Sequence, residues 1–139
     1  MTRPPSAMRG WLLALALAAA LGTAHGRDAP MVQPGRVLLA TADGQASGTP
    51  AVRAAILKGA QGLGWMLGAE EPGKLTLKFN KQGKHEVVIA AVYDDKGYEL
   101  TYVDSTNMNF SRHADGSMEI HPNYNRWIAN LIKHIATAP

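Results

Sequence analysis

Residues 74–104, KLTLKFNKQGKHEVVIAAVYDDKGYELTYVD, read as three strands joined by two turns. Leu75, Leu77 and Phe79 alternate with Thr76 and Lys78, the period-two pattern of a strand with one face buried. The Gly-containing stretches NKQGK and Asp94-Asp95-Lys96-Gly97 supply hairpin turn chemistry on either side of HEVVIAAVY. That middle strand is apolar on both faces: Val87, Ile89, Ala91 and Tyr93 on one, Val88, Ala90 and Val92 on the other. Pairing Tyr93 with Tyr98 would align Leu100 and Tyr102 with the first set and leave Thr101 and Val103 beside the second. A slip of one residue would reverse this, and alternation alone leaves both registers open.

Working outward toward the N-terminus, Glu71-Pro72-Gly73 is a turn, and a further strand is expected to begin at Trp65-Met66-Leu67. Before it, Thr49 reads as a helix N-cap followed by Pro50 at the first helical position. Val52, Ala55, Ile56, Gly59 and Leu63 share one helical face, with Arg53, Lys58 and Gln61 opposite. Gly62 and Gly64 should end this helix, because glycine costs roughly 1 kcal/mol in a helix interior. Toward the C-terminus, a polar, turn-rich stretch from Ser105 to Gly116 leads into IHPNYNRWIANLIKHI, residues 120–135. With His121 as N-cap and Pro122 at the first helical position, Tyr124, Trp127, Ile128, Leu131 and Ile135 form an apolar stripe. Arg126, Asn130 and Lys133 lie opposite, and Asn123 and Asn125 are placed to tie loop backbone to the helix start. The expected fold class is α+β: a helix, an antiparallel meander of about four strands and a C-terminal helix, both helices on one sheet face.

Residues 1–26 have the layout of an export signal. Arg3 and Arg9 precede an apolar run from Trp11 to Leu21, and Ala24-His25-Gly26 places small residues at a cleavage spacing. The run is too short to span a bilayer as a stable helix, so no transmembrane segment is expected after cleavage. The expected organisation is a signal peptide at 1–26, a flexible mature N-terminus at 27–48 with a short strand at 36–40, and one domain at 49–139. Losing Arg3 and Arg9 leaves 12 Lys and Arg against 11 Asp and Glu, a net charge of about +1. No basic block remains, which argues against a nucleic-acid surface. With no cysteine, disulfides, thiolate chemistry and lipidation at a cleavage-site Cys are all excluded for this sequence. A periplasmic or secreted location follows as the expectation.

Chemistry-bearing residues are few and scattered. His85, His113, His121 and His134 lie 28, 8 and 13 residues apart, unlike the close pairs of zinc sites. Met108, His113, Met118 and His121 are a weak candidate copper set, since thioether and imidazole suit that metal. Asp104-Ser105 invites a hydrolase reading with a His, but no G-x-S-x-G elbow is present. No glycine-rich phosphate loop or other cofactor motif occurs, so no cofactor is expected. The order Gly64-Trp65, Pro72-Gly73, Tyr98 to Ser105 and His121 to Leu131 resembles a group of small, uncharacterised exported proteobacterial proteins, many of them lipoprotein-like. The resemblance runs from about Ala51 to Ile135 and implies an envelope location without implying catalysis. The absence of a lipidation Cys departs from that group's pattern.

Two functional expectations follow. The first is a non-enzymatic binding domain of the cell envelope, whose partner is an envelope protein or small ligand. Its surface would be Val88, Ala90, Val92, Thr101 and Val103, with the Ser105 to His113 loop at the rim and His121 nearby. The alternative is a small envelope hydrolase or metal-binding protein using Asp104, His113 and His121.

Overall fold

In a computed structural model, residues 28–39 and 44–137 are described. The signal-like segment 1–26 lies outside the described residues. In chain order the elements are β1 (Ala29–Pro30), β2 (Arg36–Leu38), α1 (Thr49–Gly62), β3 (Met66–Glu71), β4 (Lys74–Lys81), β5 (His85–Tyr93), β6 (Gly97–Thr106), β7 (Ser111–Arg112), β8 (Met118–Ile120) and α2 (Pro122–Thr137). The strands β3 to β6 form the expected antiparallel meander, and β2 extends it to five strands in the order β2-β6-β5-β4-β3. A separate small sheet has the order β1-β8-β7.

The register is the one that pairs Tyr93 with Tyr98, Ala91 with Leu100 and Ile89 with Tyr102. On the other side of β5, Ala91 pairs with Leu75, Ile89 with Leu77 and Val87 with Phe79. These residues make one apolar surface, on which both helices pack. From α1 it receives Val52, Ile56 and Ala60, and from α2 Tyr124, Ile128, Leu131 and Ile135, all buried in one core. Each such large side chain, fully buried, contributes roughly 1.5–3 kcal/mol of hydrophobic stabilisation. Phe79 lies between Trp65 and Trp127, with ring centroids 5.2 and 4.9 Å away, which joins the β3 entry, β4 and α2. Where α1 crosses α2, Gly59 meets the backbone of Ile135 so closely that no Cβ fits between them.

At the start of α1 the N-cap is Gly48, with no side-chain cap bond, and not the expected Thr49, which is the first helical residue. At the end of α1, Gly64 has φ +88° and Trp65 N–H donates to the Ala60 carbonyl at 2.9 Å. Gly64 N–H bonds to the Gln61 carbonyl, so the pair of bonds makes a Schellman stop that turns the chain into β3. At the start of α2, His121 Nδ1 accepts the Asn123 N–H at 3.1 Å, an imidazole acting as the N-cap acceptor.

Two irregularities in the sheet redirect side chains. In β3 the register shifts between Leu67 and Glu70, which turns Glu70 toward the helices. There its carboxylate accepts two bonds from Arg53 of α1, at 2.6 and 2.9 Å. In β6 a bulge opposite Val88 and Ile89 leaves Val103 without a partner and pairs Asp104 with Val88.

The segment expected to be a flexible N-terminus contributes two strands and a core side chain. Met31 is buried, with its N–H bonded to the Met118 carbonyl. Asn125 clips the same segment from both sides: its Nδ2 donates to the Pro30 carbonyl and its Oδ1 accepts the Val32 N–H. Period-two and helical patterns cannot show such pairings, because β1 and β2 are too short to carry a period. Of the short strand expected at 36–40, Arg36–Leu38 is a strand, Leu39 is not, and Ala40 lies outside the described residues. This strand joins β6 at Gly97, where a Cβ would overlap the Val37 carbonyl oxygen.

Candidate functional site: the open face of the sheet

The face of the five-stranded sheet turned away from the helices has no described element packed on it. Reading across the strands from β3 to β2, one row is Glu71, Lys74, Val92, Glu99 and Arg36. The next is Thr76, Ala90 and Thr101, and the third is Met66, Lys78, Val88 and Asp104. An apolar spine of Val88, Ala90 and Val92 therefore runs down β5. It is flanked by a basic rail on β4 (Lys74, Lys78) and an acidic rail on β6 (Glu99, Asp104). Val92 is 47% exposed, Val103 51% and Met66 68%, so apolar surface does reach solvent here. Ala90 is buried although no element covers it, because its short side chain lies between taller neighbours.

The two rails differ in how they are satisfied. Lys78 lies 3.3 Å from Glu86 of its own sheet, and Lys74 lies 4.0 Å from Glu71. Arg36, at the far edge, makes a two-pronged bond to Asp94 at 2.6 Å. That bond, helped by the Lys96 and Gly97 N–H groups, lowers the Asp94 carboxyl to about 2. Among the described residues, Glu99 forms no ion pair or hydrogen bond, and Asp104 accepts only the Ser105 N–H.

Of the residues expected on this surface, Val88, Ala90, Val92 and Thr101 share the face, and Val103 stands in the bulge beside it. Two expectations about its surroundings are corrected. Of the Ser105 to His113 segment expected at the rim, Thr106 stands on this face opposite Glu86, whereas Phe110 stacks on Tyr102 at 4.3 Å and Met108 is buried in the core, both on the helix side. His121 is also on the helix side, since its ring lies 6.2 Å from that of His85, which shares the face of Val87. The proximity of His85 was not legible in the sequence, because a hairpin and the whole β7–β8 excursion separate the two histidines.

The residues of the metal and hydrolase readings have separate partners. Asp104 stands on the open face, and Ser105 turns to the helix side, its Oγ 2.7 Å from the Tyr102 hydroxyl. His113 Nε2 is 3.3 Å from Glu119 in the β7–β8 hairpin, and Met118 receives an Arg112 N–H at 3.7 Å. No group of three or more His, Cys, Asp or Glu among the described residues is placed to hold a metal ion. Two of the concavities among the described residues adjoin the small sheet or α2. One of about 140 Å³ is lined by residues including Met31, Glu99, Tyr102, Arg112 and Tyr124. The other, about 310 Å³, lies along α2 against Val32 and Pro34. The first is below the roughly 300–1,000 Å³ of small-molecule sites, and the second is nearly all apolar, without convergent polar groups to orient a ligand.

No helix among the described residues is long and apolar enough to cross a membrane. The chain matches no family model, no curated protein and no solved structure.

Proposed function

We propose that this chain is a non-enzymatic interaction domain of the bacterial cell envelope, exported to the periplasm or beyond, which binds its partner with the open face of the sheet. The observation that carries this reading is the uncovered Val88–Ala90–Val92 spine with opposite charges on its two flanks. Sheets in small domains usually turn a polar face to water, so an exposed Val92 in a central strand, with Val103 exposed beside it, suggests a surface held for contact. The export-signal layout of residues 1–26 supports the location, as does the resemblance to small exported proteobacterial proteins.

The test is site-specific photocrosslinking in cells that express the full chain. A photoreactive residue replacing Val92 or Val103 is expected to give discrete covalent adducts, and one replacing Lys133, on the outer face of α2, is expected to give none. Equal labelling from all three positions, or none from Val92 and Val103, would overturn the reading.

A further inference from the structure

We infer that the partner on the open face is a second copy of this chain, packed sheet to sheet about a two-fold axis that runs along β5. The inference rests on the reading of that face as an interaction surface and specifies its occupant. A two-fold axis parallel to β5, midway between two stacked sheets, sends each side chain to the same height along the strand but to the opposite flank. The row Glu71, Lys74, Val92, Glu99, Arg36 is then laid over its own reverse. Lys74 faces Glu99 of the second copy, Glu71 faces its Arg36, and Val92 meets Val92 on the axis. Two rows on, Lys78 faces Asp104 and Val88 meets Val88, while the small Ala90 between them lets the sheets approach their usual separation of about 10 Å. Every charged position of these two rows meets its opposite.

The other in-plane axis, across the strands, gives the reverse result. It carries the Val92 row onto the Val88 row without exchanging flanks, so Lys74 faces Lys78 and Glu99 faces Asp104. The charge pattern thus selects one of two self-complementary arrangements, which is the kind of specificity interfacial charges provide. Glu99 fits this: within one chain its neighbour Arg36 attracts it but is bonded to Asp94, and the basic rail of a second copy supplies a further counter-charge. One like-charge contact occurs, between the two copies of Glu86 at the end of the axis, and each of those carboxylates already has Lys78 at 3.3 Å. With strands about 4.8 Å apart and a rise of about 3.3 Å per residue, the face is roughly 24 by 23 Å. Two copies would bury on the order of 1,000 Å² in total, at the lower limit of a specific interface. The expected assembly is a weak, reversible dimer that loosens with salt.

Sedimentation equilibrium on the purified chain tests this with Lys74→Glu and Glu99→Lys, both at exposed positions. Each substitution turns two symmetry-related attractions into repulsions and should raise the dimer dissociation constant about tenfold. Mixed in equal amounts, the two variants should associate with each other about as well as the unmodified chain does with itself, because both pairs are complementary in the mixed dimer. A monomer at every concentration, unchanged association of the single variants, or a mixture that stays monomeric would overturn the inference. If the chain is monomeric yet photoreactive Val92 still yields an adduct of another mass, a different partner occupies the face. The dimer then fails and the interaction reading stands; a monomer without adducts ends both.

Discussion

Replacing Gly59 with alanine sets two effects of known sign against each other. Alanine in place of glycine inside a helix contributes about 1 kcal/mol of intrinsic stability. At position 59 the added Cβ would lie 2.7 Å from the Ile135 nitrogen and 2.8 Å from its Cα. Favourable carbon contacts begin near ~3.5 Å, so α2 must retreat by roughly 0.8 Å at its C-terminal end. Both atoms belong to backbone, so no side-chain rotation relieves the overlap. A gap of that size forfeits about a quarter to a half of the dispersion energy of the contacts it opens, here those around Leu131 and Ile135. Overpacking of this kind costs about 1–3 kcal/mol, and rigid backbone on both sides places it in the upper part of that range. The net expectation is destabilisation by about 1–2 kcal/mol, a fall in Tm of roughly 4–15 °C for a domain of this size. Gly62, in the last turn of the same helix, has open space where its Cβ would be. Gly62→Ala should therefore be neutral or raise stability by up to about 1 kcal/mol. Urea unfolding of both variants, followed by the fluorescence of Trp65 and Trp127, reads the difference. If Gly59→Ala were as stable as Gly62→Ala, the close approach of the two helices would be refuted as a constraint on this core.

The Tyr98 hydroxyl is buried and has no hydrogen-bond partner among the described residues, and burial pushes its pKa up to about 12. Tyr98→Phe removes that unpaired group and should stabilise the fold by about 1 kcal/mol in thermal melts, whereas a loss of stability would mean that the hydroxyl is paired. Asp94 is held at about 2, below its ordinary 3.8, so the stability its charge contributes is complete above about pH 4 and is lost as pH falls through 2. The advantage of the unmodified chain over Asp94→Asn should follow that window in acid titrations, and a constant difference down to pH 2 would contradict it. At Gly97, alanine should expel β2 from the sheet edge, seen as faster amide exchange at residues 36–39 with β4 and β5 unaffected; unchanged exchange there would show that β2 accommodates the methyl group.

The meander was legible because Leu75, Leu77 and Phe79 alternate cleanly and two turns bracket β5. The start of α2 was legible because His121 and Pro122 precede a strong apolar stripe. What escaped were features that exist only once distant segments meet. Val103 is an ordinary strand residue until the bulge removes its partner, and the choice between Val103 and Asp104 beside Val88 depends on that one irregularity. Lys74, Lys78, Glu99 and Asp104 are each unremarkable surface charges in the chain. They become two opposed rails only after register sets them on either side of the same valines. The apolar half of the candidate surface could thus be read from alternation, and its electrostatic half required the pairing of β4, β5 and β6.

The Asn125 clip also bears on the order in which the molecule can assemble. Its two bonds join Pro30 and Val32 to a residue more than ninety positions later, and the β1–β8 pairing spans a similar interval. Closing loops of that length is entropically expensive and is repaid only by contacts made at the same moment. The meander, whose neighbours are joined by tight turns, can form early, whereas Met31 has no seat until β8 and the first turn of α2 exist. During synthesis the earliest described residues are therefore among the last to be fixed, and they wait on the helix that closes the core.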